Sequence, residues 1–199
     1  MKTMTKYSCK VCKSKIFNQK HPFKILKKFN TKLLICKNCG FQKFINSDAW
    51  IDLAYSDAIA STDTGIVKRC LSNAKFISAY LTFNSYKQNI LDWGTGSGLF
   101  VRLMRDKGWN TFGYEPIAIP LLSKGFSSNS LNKISENFNY QLITAFEVME
   151  HLEDPLVFFK QIFKLTDTLI FSTLLVDKNF DKEWWYYSTD TGQHISFYT

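Results

Sequence analysis

Residues 90–100 read Ile-Leu-Asp-Trp-Gly-Thr-Gly-Ser-Gly-Leu-Phe. An apolar run ends at Asp92, glycines follow at Gly94, Gly96 and Gly98, and a helical pattern opens at Leu99. That order predicts a strand, a tight turn and a helix N-terminus, with bare backbone where a ligand would approach. The dinucleotide fingerprint needs a third small residue where this chain has Leu99, so the spacing speaks against NAD.

Strands and helices alternate from there on. A strand is expected over 89–93, a helix over 99–107 ended by Gly108, and a strand over 111–115. Pro116 follows, with a short helical stretch to Leu122 and a weak strand near 126–131. A clear apolar strand covers 142–148. Pro155 opens a helix to about residue 165, with Leu156, Phe159, Ile162 and Phe163 on one face, and a buried strand covers 168–176. The βαβαβ order predicts a Rossmann-like, doubly wound, mostly parallel sheet covered by helices. Upstream, Val67, Cys70, Leu71, Ala74, Ile77 and Leu81 repeat at helical spacing, with Asp63 or Thr64 as the expected cap. Cys70 on that stripe reads as a small buried hydrophobe rather than a nucleophile. The expected domains are 1–46, a small zinc-binding ribbon, 47–88, a helical connector, and 89–199, the cofactor-binding domain.

The ribbon rests on two C-x-x-C pairs, Cys9 with Cys12 and Cys36 with Cys39. Four thiolates in two chelating pairs match tetrahedral zinc, and with every position filled by Cys the zinc is structural. His21 is the alternative ligand nearby and reads as a loop residue. The segment is also basic: residues 1–47 hold 12 Lys, no Arg and no acid, against 25 bases and 17 acids in the whole chain. Two readings stay open, a polyanion-binding face and a solubilising surface; Lys without Arg lacks the forked donor suited to phosphate. No apolar run spans a bilayer and the first ten residues lack a signal-peptide core, so the cytoplasm is the expected location.

Several pieces together resemble class I S-adenosylmethionine (SAM) methyltransferases. Residues 91–98 resemble their first motif, Gly113-Tyr114-Glu115-Pro116 the acidic end of their second strand, and residues 145–155, Ala-Phe-Glu-Val-Met-Glu-His-Leu-Glu-Asp-Pro, their fourth-strand signature. With the cysteine leader, Ala54–Asp57, Asp63-Thr64-Gly65 and His194-Ile195-Ser196-Phe197, the chain is similar to methyltransferases encoded in bacterial surface-polysaccharide and glycosyltransferase gene clusters. That family carries two further strands after its fifth. Here only 23 residues follow Val176, so the resemblance implies a domain truncated after strand five, with homodimerisation as one way to cover the open edge.

The resemblance implies a cofactor site of Asp92, Gly94, Thr95, Gly96, Ser97, Gly98, Glu115, Pro116, Phe146 and Glu147. Asp92 would face the methionine ammonium and Glu115 the ribose hydroxyls, which suit a carboxylate's several acceptor sites. Phe146 and Glu147 would border the sulfonium. A hydroxyl acceptor also requires a base, and His151 and His194 are the candidates in this domain; capping or orienting a loop is the alternative for each. Glu147 and His151, four apart, are a weaker metal-pair candidate without a visible third ligand. Trp184, Trp185, Tyr186 and Tyr187 read either as a wall for a flat substrate or as a hydrophobic plug. The expected function is SAM-dependent methylation of a sugar or other small-molecule acceptor. RNA or DNA methylation through the basic ribbon, and a non-catalytic binding role, are the alternatives.

Overall fold

The structure, a computed structural model, describes residues 7–15, 17–55, 63–86, 89–135, 139–177 and 181–199. In chain order its strands are β1 (Phe17–Ile25), β2 (Phe29–Cys36), β3 (Gln42–Phe44), β4 (Asn89–Trp93), β5 (Thr111–Tyr114), β6 (Ser127–Ser128), β7 (Tyr140–Phe146), β8 (Leu169–Ser172) and β9 (Ser196–Phe197). The helices are α1 (Ile51–Ala54), α2 (Ile66–Phe83), α3 (Leu99–Asp106), α4 (Leu131–Ser135) and α5 (Pro155–Ile162). They form two compact units, each assembled from separated stretches. The described residues of Met1–Ser56, Met149–Lys160 and Ser172–Thr199 make one, and those of Asp57–Val148 and Gln161–Phe171 the other.

The second unit holds a five-stranded sheet in the order β6-β5-β4-β7-β8. β4 pairs in parallel with β5 and with β7, and β5 in parallel with β6. This is the Rossmann-like α/β arrangement. The chain runs outward from β4 to β6, then crosses back to β7 on the other side, and it is at the carboxyl ends of the strands beside such a reversal that open α/β sheets bind their ligands. Ile90, Leu91, Asp92 and Trp93 are all buried, as expected of a central parallel strand covered on both faces. Ala74, Ile77 and Leu81 of α2 pack with Ile90, Phe100, Met104 and Leu142 in one cluster. The expected stripe on α2 is only partly buried, since Val67 and Leu71 are exposed. Neither Asp63 nor Thr64 caps the helix. Gly65 is the N-cap, and Asp63 instead accepts from Arg69 Nη2 at 2.7 and 2.8 Å. β8 lies at the edge of the sheet among the described residues and is shorter than the strand expected over 168–176.

The first unit contains a four-stranded sheet in the order β1-β2-β3-β9, whose three strand pairings are antiparallel. The expectation of short antiparallel strands carrying the cysteine pairs is met for β1 to β3. His21 falls within β1 rather than in a loop. The larger difference is at the other end of the chain. Residues 177–199, read as a loop, contribute β9, and Ser196 lies opposite Lys43 and Phe197 opposite Gln42. The physical cause is aromatic. Tyr186, Tyr187, Ile195 and Phe197 are buried with Phe23, Ile25, Leu33, Phe44 and Trp50. The Phe44 and Phe197 rings meet edge-on at 5.5 Å and Tyr187 and Phe197 at 4.8 Å, geometry that ring quadrupoles favour. The buried polar ends find partners: Trp50 Nε1 donates to Gly192 O at 3.0 Å and the Tyr187 hydroxyl to Gln42 Oε1 at 2.9 Å. Tyr186 and Tyr187 thus plug the antiparallel sheet, Trp184 packs against them, and Trp185 is exposed.

Candidate active site

The glycine turn leaves β4 at its carboxyl end, beside the point where the strand order reverses. Two cross-strand contacts hold it. Asp92 is in register with Thr144 of β7, whose hydroxyl donates to Asp92 Oδ1 at 2.8 Å. The Gly94 and Thr95 N–H groups donate to Tyr114 O at the end of β5, at 2.8 and 3.2 Å. Gly98, with φ +83°, starts α3 from the left-handed region, which costs L-residues about 1–2 kcal/mol. A Cβ there would lie 2.1 Å from Ser123 Oγ and 2.7 Å from the Ser123 backbone nitrogen, so only glycine fits. Gly96, with φ +54°, differs: a Cβ there would meet nothing within 4 Å. The turn is closely packed at Gly98 and open at Gly96. Ser97 contributes its carbonyl, which accepts from Leu122 N–H at 2.9 Å.

Two buried carboxylates adjoin the glycine turn, Asp92 at the end of β4 before it and Glu115 against Gly96. Glu115, just past β5, accepts at Oε2 from Gly96 N–H at 2.7 Å and at Oε1 from Ile117 and Ala118 N–H at 3.0 and 3.1 Å. It is turned into the glycine turn rather than toward bulk water. Three of its roughly four lone-pair positions are in use, so a diol has one position to share and must displace N–H donors for more. Burial pushes the Asp92 carboxyl up to about 7, against the pull of the Thr144 and Thr95 hydroxyls, and the Glu115 charge adds to the rise. Among the described residues no cationic side chain forms an ion pair with Asp92 or Glu115. Thr95 Oγ1 is buried in the same turn, makes no hydrogen bond of ordinary geometry, and faces the Asp92 carboxyl, whose pKa it lowers. Two carboxylates with no cationic partner among the described residues, a hydroxyl without a hydrogen bond of ordinary geometry and space over Gly96 fit a positively charged ligand with polar groups, as SAM is.

The remaining cofactor candidates have local roles as well. Pro116 is exposed beside Glu115. The Phe146 ring meets Phe100 edge-on at 5.2 Å and packs against the core cluster of this unit. Glu147 follows β7 with φ +54°, a conformation that non-glycine residues hold only under constraint and that concentrates at functional sites. Its charge adds to the rise of the Arg69 pKa, which the Asp63 hydrogen bond dominates and burial opposes. Burial pushes the Cys70 thiol up to about 11, consistent with an inert packed cysteine.

The first unit gathers the other candidates. The sulfurs of Cys9, Cys12, Cys36 and Cys39 all lie within 4.8 Å of one another, with Cys9 and Cys39 at 3.6 Å and Cys12 and Cys36 at 3.5 Å. The donor set and the clustering fit a tetrathiolate metal site. His151, in a 3-10 turn over Met149–His151, and His194, before β9, also meet; their rings are 5.0 Å apart at 80°. His151 Nδ1 lies 3.0 Å from Gln193 O and His194 Nδ1 2.7 Å from Tyr186 O. A carbonyl only accepts, so each Nδ1 carries a hydrogen that points at its carbonyl. Glu150, fully buried beside His151, was missed by sequence reasoning, because nothing in its spacing separates it from Glu147 or Glu153. Within this unit Lys43 pairs with Glu153 and Lys10 with Asp154 at 3.4 Å, so part of the basic segment is neutralised locally.

No curated protein sequence matches the chain. Among solved structures it is similar to WbdD, described as a bifunctional kinase-methyltransferase, at 14% identity and TM-score 0.42. That match covers 75% of this chain and 34% of WbdD. A second WbdD structure, with a kinase inhibitor, matches at 15% identity and TM-score 0.42 over 62% and 33%. The chain therefore spans about a third of the length of WbdD. The plantazolicin methyltransferase BpumL, solved with SAH, matches at 15% identity and TM-score 0.40 over 73% of this chain and 71% of BpumL. Residues 67–199, well over half of the chain, match the family described as "Methyltransferase domain". They include the glycine turn, both flanking carboxylates and both histidines, and the chain belongs to this methyltransferase-domain family.

Proposed function

We propose that this chain transfers the methyl group of SAM to a sugar or another small-molecule acceptor, as in polysaccharide biosynthesis. The observation that carries this reading is the pair of buried carboxylates, without a cationic side-chain partner among the described residues, at the open glycine turn. SAM supplies a methyl group on a sulfonium, and loss of that positive charge drives the transfer. Asp92 attracts the methionine ammonium and Glu115 engages the ribose hydroxyls. Gly94, Thr95, Gly96, Ser97 and Gly98 give the cofactor close backbone, while Pro116, Phe146 and Glu147 border it. An acceptor hydroxyl must lose its proton, and the Nε2 lone pairs of His151 and His194 are the proposed acceptors. Cys9, Cys12, Cys36 and Cys39 hold one structural zinc.

Thermal shift with SAM and with its demethylated product tests the pocket. A ligand selective for the folded state, at about a hundred times its Kd, adds about 2.7 kcal/mol. Absence of any shift at saturating ligand for both would overturn the reading. The lysine-rich segment favours a second reading, methylation of a nucleic acid. It requires salt-sensitive retention on RNA or heparin that is lost when those lysines are neutralised. Homodimerisation over the β8 edge is checked by the mass of the protein in solution.

A further inference from the structure

The first unit contains a second cluster suited to a metal, built from residues that the tetrathiolate site does not use. The ligand atoms of Glu150, His151 and His194 all lie within 4.8 Å of one another. Two imidazoles and one carboxylate are a recurrent ligand set for divalent transition metals. We infer that Glu150, His151 and His194 form a binding site for one divalent transition-metal ion, separate from the tetrathiolate site.

Three features of the surroundings favour an ion over a chance gathering. First, each imidazole is oriented from behind, His151 Nδ1 on Gln193 O and His194 Nδ1 on Tyr186 O, which is how metal-binding histidines are commonly held. Second, the carboxylate is oriented too. Glu150 Oε1 accepts from the Tyr186 hydroxyl at 2.6 Å and Oε2 from the Thr173 hydroxyl at 3.0 Å. Tyr186 therefore positions two of the three ligands. Third, the two segments that bring the ligands are stitched together. Ile195 N–H donates to Glu150 O at 2.8 Å, the Ser196 hydroxyl to Leu152 O at 2.6 Å and the Tyr198 hydroxyl to Met149 O at 2.7 Å.

The donor set also selects the occupant. Imidazole nitrogen suits zinc, cobalt, nickel or iron, while calcium and magnesium prefer oxygen throughout. At metal–ligand bonds of about 2.0–2.2 Å, neighbouring ligands sit roughly 3–3.5 Å apart, so closure asks for shifts on the order of 1 Å. Three protein ligands leave a coordination position for water or a hydroxyl-bearing molecule, whereas the tetrathiolate site is closed. The inference does not rest on methyl transfer. An ion and a proton compete for the same Nε2 lone pairs, so metal content decides which role the histidines have.

Cobalt(II) titration of the full chain, its tetrathiolate site loaded with zinc, tests the proposal. The expected result is one cobalt bound per chain, with two slowly exchanging imidazole N–H resonances displaced by the paramagnetic ion. His151→Gln and His194→Gln are each expected to weaken that cobalt at least about tenfold while the zinc stays bound. The absence of bound cobalt, or bound cobalt that displaces no imidazole resonance, would overturn the proposal; this holds for the wild-type chain even if a variant fails to fold. SAM binding, measured separately by thermal shift, reports on the methyl-transfer reading alone.

Discussion

At the scale of single residues, Asp92 links burial to pH. Its folded-state pKa is raised by burial, so the folded protein holds this proton more tightly than the unfolded chain does. The stability this adds is complete below the ordinary carboxylate range and is lost as pH rises through about 7. Asp92→Asn should flatten that fall between about pH 4 and 7 in denaturant titrations. A bound ammonium needs the ionised form, so SAM affinity should weaken below about pH 7, by at most about tenfold per unit, and Asp92→Asn should abolish the trend in calorimetry. Two glycines of the turn separate fold from function. Gly98→Ala drives a Cβ into Ser123 and should cost well over about 1 kcal/mol of stability. Gly96→Ala meets open space and carries only the positive-φ strain of about 1 kcal/mol, so its larger effect should fall on cofactor affinity.

Among the elements, β9 does most for its size. It is two residues long, yet it closes the antiparallel sheet and brings Phe197 into contact with Phe44, Tyr187 and Trp184. Phe197→Ala should destabilise this unit by about 3–5 kcal/mol, measurable as a shifted chemical denaturation midpoint. α5 shows how local chemistry sets a boundary. Asp154 Oδ1 accepts from Leu156 N–H at 3.1 Å and Val157 N–H at 3.4 Å, and Pro155 stands where a helix tolerates proline. The Asp154 carboxyl lies below its usual range: burial opposes this, but the Val157 N–H and the Lys10 charge outweigh it.

For the whole molecule, the two units have different chemical dependences. The first contains the cysteine cluster, and small metal-centred folds lose stability without their ion. The second contains the glycine turn and its carboxylates. With the proposed zinc on the four thiolates, hydrogen exchange read by mass spectrometry should show faster exchange in β1, β2 and β3 after treatment with a chelator. Addition of SAM should slow exchange around β4, α3 and β5. Chelation that leaves the antiparallel sheet unchanged would contradict the zinc assignment. Among the described residues no helix is long and apolar enough to cross a membrane.

What the sequence determined by itself is local and periodic. The order of β4, α3, β5 and β7 follows from apolar runs, glycine punctuation and helical spacing, each read over a short window. The glycine turn follows from a backbone requirement that only glycine satisfies at position 98 without a clash, and the two cysteine pairs announce themselves by chelating spacing. What the tertiary structure decided is which distant residues share a core. Gln42 pairs with Phe197 across most of the chain, because the aromatic rings of residues 184–197 are better buried against Phe23, Phe44 and Trp50 than left in water. The same folding-back sets His194 beside His151 and Glu150, three residues whose spacing in the sequence carries no common signal. Glu115 shows the boundary between the two: its position after β5 was legible, but its engagement with Gly96 N–H depends on two strand ends meeting in space. Hydrophobic burial is non-directional and acts between residues far apart in the chain, so it leaves no fixed spacing to read.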